Sequence, residues 1–267
     1  MILHLIKKAF HDFMAIFGVA VVRKKTFESL SRVDSERLAA FEFLLTIPEG
    51  ERPPLIGLIG HSKSQNAQDL FVLHQLKQMR SGYFVEFGAT NGVTGSNTML
   101  LESEFGWRGI LAEPAKGWHK DLVKNRPHAS IEMRCIWSES GVLLEFAETE
   151  NRDLSTLSAF AHIDHHRFNR ESANKYTVET ISLHDLLEHH RAPKHIDYLS
   201  IDTEGSEFEI LSSLDFSQYS FGVITCEHNF TESREKIHDL LIAKGYIQIF
   251  PNVSKFDDWY VSTKLLP

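Results

Sequence analysis

Residues 83–98, YFVEFGATNGVTGSNT, end an apolar run on Glu86 and follow it with Gly88, Gly92 and Gly95. In open α/β sheets the ligand lies beyond the carboxyl ends of the strands, so an acid followed by a glycine turn is a candidate binding loop. The glycines are spaced GxxxGxxG, which is not the G-x-G-x-x-G of dinucleotide sites, and no Gly-Lys-Ser/Thr follows to hold a phosphate chain. A carboxylate there repels phosphate but attracts a cationic amine, while Gly88 and Gly92 let the main chain pass close to a compact ligand. S-adenosylmethionine has that chemistry, with an ammonium, a sulfonium and no phosphate. A second acid, Glu113, closes the run GILAEP, and an acid at the tip of the second strand can accept both hydroxyls of a ribose. The missing fingerprint also argues against an NAD-dependent oxidoreductase.

A second set of reactive side chains lies later in the chain, in IDTEG with Asp202 and in CEHN with Glu227, His228 and Asn229. Both follow apolar runs, so both belong at strand ends facing the same ligand. If the ligand is S-adenosylmethionine and its methyl group goes to a hydroxyl, the transfer needs alignment and a group to take the proton. Asp202, Glu227 or His228 could take it. Alternatively, Asp202, Glu227 and Asn229 could bind a hard divalent cation such as magnesium that orients and acidifies the hydroxyl. A purely structural reading has Asp202 capping the next helix and Glu227 ordering its loop. His162, His165 and His166 in HIDHHRF stand in a polar stretch without a clear partner set, which reads as a solvated loop or substrate lid rather than a metal centre. His189, His190 and His195 flank a helix end, where cations favour the helix dipole, and need no catalytic role.

The elements that must carry these residues alternate from residue 83 onward. Short β-rich runs at 83–87, 109–112, 130–135, 195–201, 221–226, 246–250 and 259–262 are separated by helical patterns at 97–104, 116–125, 183–190, 207–213 and 232–244. This is the rhythm of a parallel sheet covered by helices. Only PNVSKFDD separates the last two strands, too short for a crossover helix, so they should pair antiparallel. Ser182 with Asp185, and Ser206 with Glu209, offer a hydroxyl and a carboxylate to the free amides of two helix starts. Residues 141–176 break the rhythm and read as one strand followed by a long polar excursion.

The 267 residues fit one large α/β domain, and 42% hydrophobic with 24% charged residues argues against both a disordered chain and a membrane bundle. A formal charge of −8 with scattered lysines and arginines disfavours a nucleic-acid partner. Cys135 and Cys226 lie inside apolar runs, as small buried side chains in a reducing, cytoplasmic setting would. At the N-terminus, Ile2, Leu5, Ile6, Ala9, Phe13 and Ile16 recur at helical spacing, interrupted by Lys7, Lys8, His11 and Asp12. That amphipathic helix suits packing on its own domain, on a second subunit of a homo-oligomer, or on a membrane surface as a peripheral contact; it suits neither a membrane span nor a signal peptide. We therefore expect an N-terminal helical extension and linker over 1–60 and a catalytic domain over 61–267.

In SQNAQDLFVL, GYFVEFGATNGVTGSNTMLLE, GWRGILAEP, TISLHDLL, IDYLSIDTEGSEFEIL, ITCEHN and FDDWYV the chain resembles the FkbM family of S-adenosylmethionine-dependent methyltransferases, with the blocks in family order from about residue 62 to 262. The resemblance implies a class I methyltransferase (Rossmann-like) fold: a seven-stranded, mostly parallel sheet with one reversed strand and helices on both faces. It implies that Glu86, Gly88, Ala89, Asn91 and Gly92 line the methionine and ribose side of the cofactor and that Glu113 holds the ribose. It also has Gln65, Gln68 and Asp69 closing over the methionine end and the turn from Ile136 to Ser138 approaching adenine. Asn91 departs from the aspartate many methyltransferases carry. The activity implied is O-methylation of a small-molecule or glycan acceptor, either a sugar or glycan precursor or a polyketide-like molecule. The competing reading is a non-catalytic S-adenosylmethionine-binding module recruited to a partner or membrane by its N-terminal helix.

Overall fold

The computed structural model describes residues 24–163 and 167–266, so the amphipathic pattern between Ile2 and Ile16, and His165 and His166, lie outside the described residues. The main sheet comprises β1 (Tyr83–Phe87), β2 (Arg108–Ala112), β3 (Ser130–Glu132), β8 (His195–Ile201), β9 (Ser220–Glu227), β10 (Tyr246–Ile249) and β11 (Asp257–Ser262). Between them a smaller sheet is formed by β4 (Cys135–Trp137), β5 (Leu143–Glu148), β6 (Thr156–Leu157) and β7 (Asn174–Ser182). The main sheet runs β10-β11-β9-β8-β1-β2-β3. Only β11 is reversed, lying antiparallel to both β10 and β9, as the short connection before it demands.

Side-chain alternation sorts the core. Phe84, Leu111, Tyr198 and Val223 face one side, where they meet Leu70, Leu101 and Leu122 from α3 (Gln68–Gln75), α4 (Met99–Phe105) and α5 (His119–Asn125). Their neighbours Val85, Ile110, Leu199 and Ile224 face the other side. There they pack on Leu186, Leu211 and Leu241 from α6 (Leu183–His189), α7 (Glu207–Ser213) and α8 (Ser233–Ala243). Each such residue contributes about 1.5–3 kcal/mol by leaving water. Two earlier helices join the first face: α1 (Lys24–Thr46) through Ala40, Phe43 and Leu44, and the short α2 (Pro53–Ile56) through Leu55. Phe43 meets Phe71 and Trp259 edge-on at 6.3 and 5.8 Å, so the proline-containing stretch after α1 is flanked by residues of the main core.

Three local expectations are corrected. The run 130–135 is not one strand: it breaks at Met133 and Arg134, where the Arg134 main-chain and Nε donors both turn onto Glu132 Oε1. Cys135 thereby starts the smaller sheet, and both it and Cys226 are buried and unpaired. The excursion after β5 carries a further nine-residue strand, β7; its sequence NKYTVETIS is mostly polar because much of that strand faces solvent. Ser182 caps α6 by accepting the Asp185 N–H at 3.1 Å, but Ser206 does not cap α7. Ser182 has the extended backbone a cap needs (ψ 154°), whereas Ser206 sits near ψ 9° and donates to Thr203 Oγ1 at 2.8 Å. Among the described residues no helix is long and apolar enough to cross a membrane.

Candidate active site

The chain builds outward from β1 to β2 and β3, then returns to place β8 on the other side of β1. Gly88 and Asp202 follow the two strands at that reversal, and their backbones touch: a Cβ on Gly88 would stand 2.1 Å from the Asp202 carbonyl oxygen. With φ at +70°, Gly88 is also in the left-handed region that glycine alone enters freely. Gly92, at φ +76°, is pressed on Arg126, whose Cγ would lie 2.5 Å from its Cβ.

Arg126 holds the loop from behind. Its fully buried guanidinium donates to the Gly92 carbonyl (3.0 Å), Ser96 Oγ (3.1 Å), Thr98 Oγ1 (3.0 Å) and Glu102 (2.7 Å). Glu86 alternates to the same side as Phe84, and its carboxylate accepts from Ser96 Oγ, the Asn97 N–H and Thr98 Oγ1. Burial raises its pKa and the Arg126 charge opposes that rise. Glu86 therefore points into the loop and does not line the cavity above it. Asn91 likewise serves the turn, accepting the N–H groups of Val93 and Thr94 at 2.9 Å each. Ala89 is buried with its N–H on the Ala112 carbonyl at 3.2 Å.

Glu113 does face the cavity, together with Gln65, Gly88, Gly95, Asp153 and Asp202. One oxygen accepts the Thr90 N–H (2.8 Å) and the other the Ala115 N–H (2.7 Å). Burial pushes its carboxyl up to about 7 despite these bonds. Gln68 turns away from the cavity, donating to Asp257 at 2.6 Å. Asp69 is buried under Ser62 and Ser64, whose hydroxyls donate to it at 2.8 and 2.7 Å. Ser138 follows β4 and lines neither this cavity nor the next.

Asp202 is shared with an adjoining cavity of about 570 Å³, walled by Glu36, Gln65, Glu204, Glu227, Phe230 and Phe256, among others. Carboxylate oxygens of Asp202, Glu204 and Glu227 lie within 4.8 Å of one another. Burial raises Asp202 to about 7, with a hydrogen bond from Glu227 acting against the rise. Glu227 is driven well above the usual range by burial and then by the charges of Asp202 and Glu204. Two carboxyls this close and this buried cannot both ionise freely, so they titrate as a pair. Asn229 lines the same cavity as Asp202 and Glu227 and donates to Glu204 at 3.2 Å. Glu204 and Asn229 both hold positive φ (+59° and +43°), a strain that the surrounding contacts must support. His228 stands apart: its Nδ1 accepts the Phe230 N–H at 3.0 Å and its Nε2 faces Asp258 at 3.6 Å. Its ring lines neither cavity, and burial lowers its pKa.

Sequence reading missed Glu204, Arg126, Arg170, Arg152 and Asp153. Glu204 had a signal, its place beside the glycine of IDTEG. Arg170, in the polar excursion, had none; it is buried only because the excursion folds back, donating to Glu204 at 2.8 Å and to the Leu154 carbonyl at 2.8 Å. Arg152 and Asp153 close the first cavity from the same segment, and Asp153 is tied to α1 through Arg32 at 3.3 Å.

A sheet of this order with only its last strand reversed, a glycine turn after the first strand and an acid after the second, is the class I fold of S-adenosylmethionine-dependent methyltransferases. The model of the methyltransferase FkbM domain matches residues 86–260, and the chain belongs to that family. No curated protein matches it by sequence. Among solved structures it is similar to a putative RNA methyltransferase, PH1948 from Pyrococcus horikoshii (11% identity, 81% of this chain and 99% of that one, TM-score 0.38). It is similar also to an O-methyltransferase from Bacillus cereus in complex with SAH (14%, 95% and 95%, 0.40). A third is precorrin-6y C5,15-methyltransferase from Geobacter metallireducens GS-15 (12%, 68% and 72%, 0.36). At these scores the resemblance is remote, and the strand order rather than any of them defines the class.

Proposed function

We propose that the protein transfers a methyl group from S-adenosylmethionine to a hydroxyl of a sugar, glycan precursor or polyketide-like small molecule. The observation that carries this reading is Asp202, which borders both cavities and stands with its carboxylate within 4.8 Å of that of Glu227.

The residues present fit the cofactor. Each Glu113 oxygen is taken by one main-chain N–H and keeps an acceptor site for a ribose hydroxyl. Gly88 and Gly95 leave the cavity wall without side chains, and Gln65 offers an amide at the same rim. When bound, S-adenosylmethionine supplies an electrophilic methyl group on a positively charged sulfur. Glu86 and Arg126 act through the loop, holding residues 92–98 in place. The acceptor lies in the larger cavity. Asp202, beside Glu227, takes the proton its hydroxyl loses as the oxygen gains the methyl group. Arg152 and Asp153 line the first cavity from the excursion.

The grouping of Asp202, Glu204 and Glu227 favours a second reading, in which these oxygens hold a magnesium-class ion. Calorimetric titration of the full chain with S-adenosylmethionine, followed by product formation over a panel of hydroxylated acceptors, tests the proposal. Asp202→Asn should cut turnover far more than it weakens binding of S-adenosylmethionine. Cofactor binding without turnover on any acceptor would leave the non-catalytic module, and added magnesium should leave turnover unchanged unless the second reading holds.

A further inference from the structure

The histidines at the end of α6 take no part in the chemistry above, yet they meet a buried acid. Glu132 closes β3 and is 6% exposed. Arg134 pins it, donating from its main-chain N–H and Nε to Oε1 (3.0 and 2.9 Å) and from Nη2 to Oε2 (2.7 Å). Facing Oε2 at 3.5 Å is His190 Nε2, a buried nitrogen without a hydrogen-bond partner. The neighbouring ring of His189 stands edge-on to that of His190, with centroids 4.8 Å apart. One ligand atom from each of Glu132, His189 and His190 lies within 4.8 Å of the others.

We propose that Glu132, His189 and His190 form a binding site for a zinc-class divalent cation. A separation of 3.5 Å is too long for a good hydrogen bond, and a buried imidazole nitrogen without a partner is costly. The same separation suits an ion between the two atoms. Metal bonds of about 2.0–2.2 Å to nitrogen and carboxylate oxygen, set at the tetrahedral angle, put the ligand atoms about 3.4 Å apart. His189 is exposed, so its ring can turn to supply the third ligand and water can take the fourth position. Two imidazoles and one carboxylate select zinc or a similar transition ion over magnesium or calcium, which prefer oxygen alone. Arg134 then plays the outer role that ligating carboxylates require, fixing the orientation of Glu132. The ion would join the short edge strand β3 to α6, beside the strand that carries Glu113, since the Glu113 N–H donates to the Glu132 carbonyl at 3.0 Å.

The test uses the full chain, freed of metal with EDTA, dialysed and titrated with zinc chloride by calorimetry, with cobalt(II) absorption as an independent report of a tetrahedral site. One equivalent should bind and raise the melting temperature. His189→Ala, an exposed position that leaves the core intact, should weaken zinc binding at least about tenfold, and Arg134→Ala should weaken it about 10- to 100-fold. His190→Ala should abolish it together with the rise in melting temperature. Zinc binding that is absent from the wild type, or that survives unchanged in His189→Ala and His190→Ala, overturns the proposal.

Discussion

Gly88 and Asp202 are in backbone contact across the strands β1 and β8, with no room for a side chain: a Cβ on Gly88 would fall 2.1 Å from the Asp202 carbonyl oxygen. This contact sets the glycine loop against the proposed proton acceptor. Gly88→Ala must therefore move β8, or its own loop, and adopt a left-handed φ as well. It should cost at least about 2 kcal/mol of stability, measured by urea denaturation, and should weaken S-adenosylmethionine binding in parallel. Unchanged stability would show that the loop can shift freely and that the contact does not fix the site.

Arg170 and Glu204 are both buried, and their pairing ties the excursion to the end of β8. Arg170→Met removes the guanidinium from the buried Glu204 carboxylate and should destabilise by about 3 kcal/mol. The double variant Arg170→Met with Glu204→Gln should recover much of that loss in the same denaturation experiment. Equal losses in the single and double variants would mean that the ion pair is not what matters there.

Glu113→Ala should weaken S-adenosylmethionine binding by about 1–3 kcal/mol, because ribose hydroxyls would lose their acceptor. Calorimetry gives the number. An unaltered affinity would remove Glu113 from the ribose.

Turnover should depend on pH through Asp202. Only its ionised form can accept a proton, so kcat/KM should rise as pH increases through about 7 and level off above it. In Asp202→Asn the residual rate should lose that rise. A wild-type profile flat between pH 5 and 9 would argue against this assignment.

Stability of the cofactor-free protein should run the other way. Glu113 and Asp202 have ordinary carboxyl values in the unfolded chain and are raised to about 7 in the fold. Between about pH 4 and 7 the folded state thus holds protons that the unfolded state has released. Their contribution is fully present below the unfolded values and is lost as pH climbs through about 7. The urea midpoint should fall across that window, and Glu113→Gln should make the fall shallower.

Much of the fold was legible because its signals are local. Seven apolar runs with helical patterns between them marked the main sheet, and the short connection before β11 dictated the reversed strand. Ser182 was readable as a cap, whereas Ser206 was not, because an identical hydroxyl and acid pattern cannot reveal the backbone angle that decides whether a cap forms. β7 escaped notice since half its side chains face water and alternate with few apolar ones.

For the site, the sequence by itself determined which residues stand at the carboxyl ends of the strands: Gly88, Glu113, Asp202 and Glu227 each follow or end an apolar run, and strand direction does the rest. Only the tertiary structure decided where those side chains point and what they meet. Glu86 turns into its own loop because side chains alternate along β1, and His228 turns toward Asp258. Arg170 reaches Glu204 from a distant polar segment. Such pairings depend on burial and on contacts between residues far apart in the chain, and neither is encoded in the spacing of neighbours.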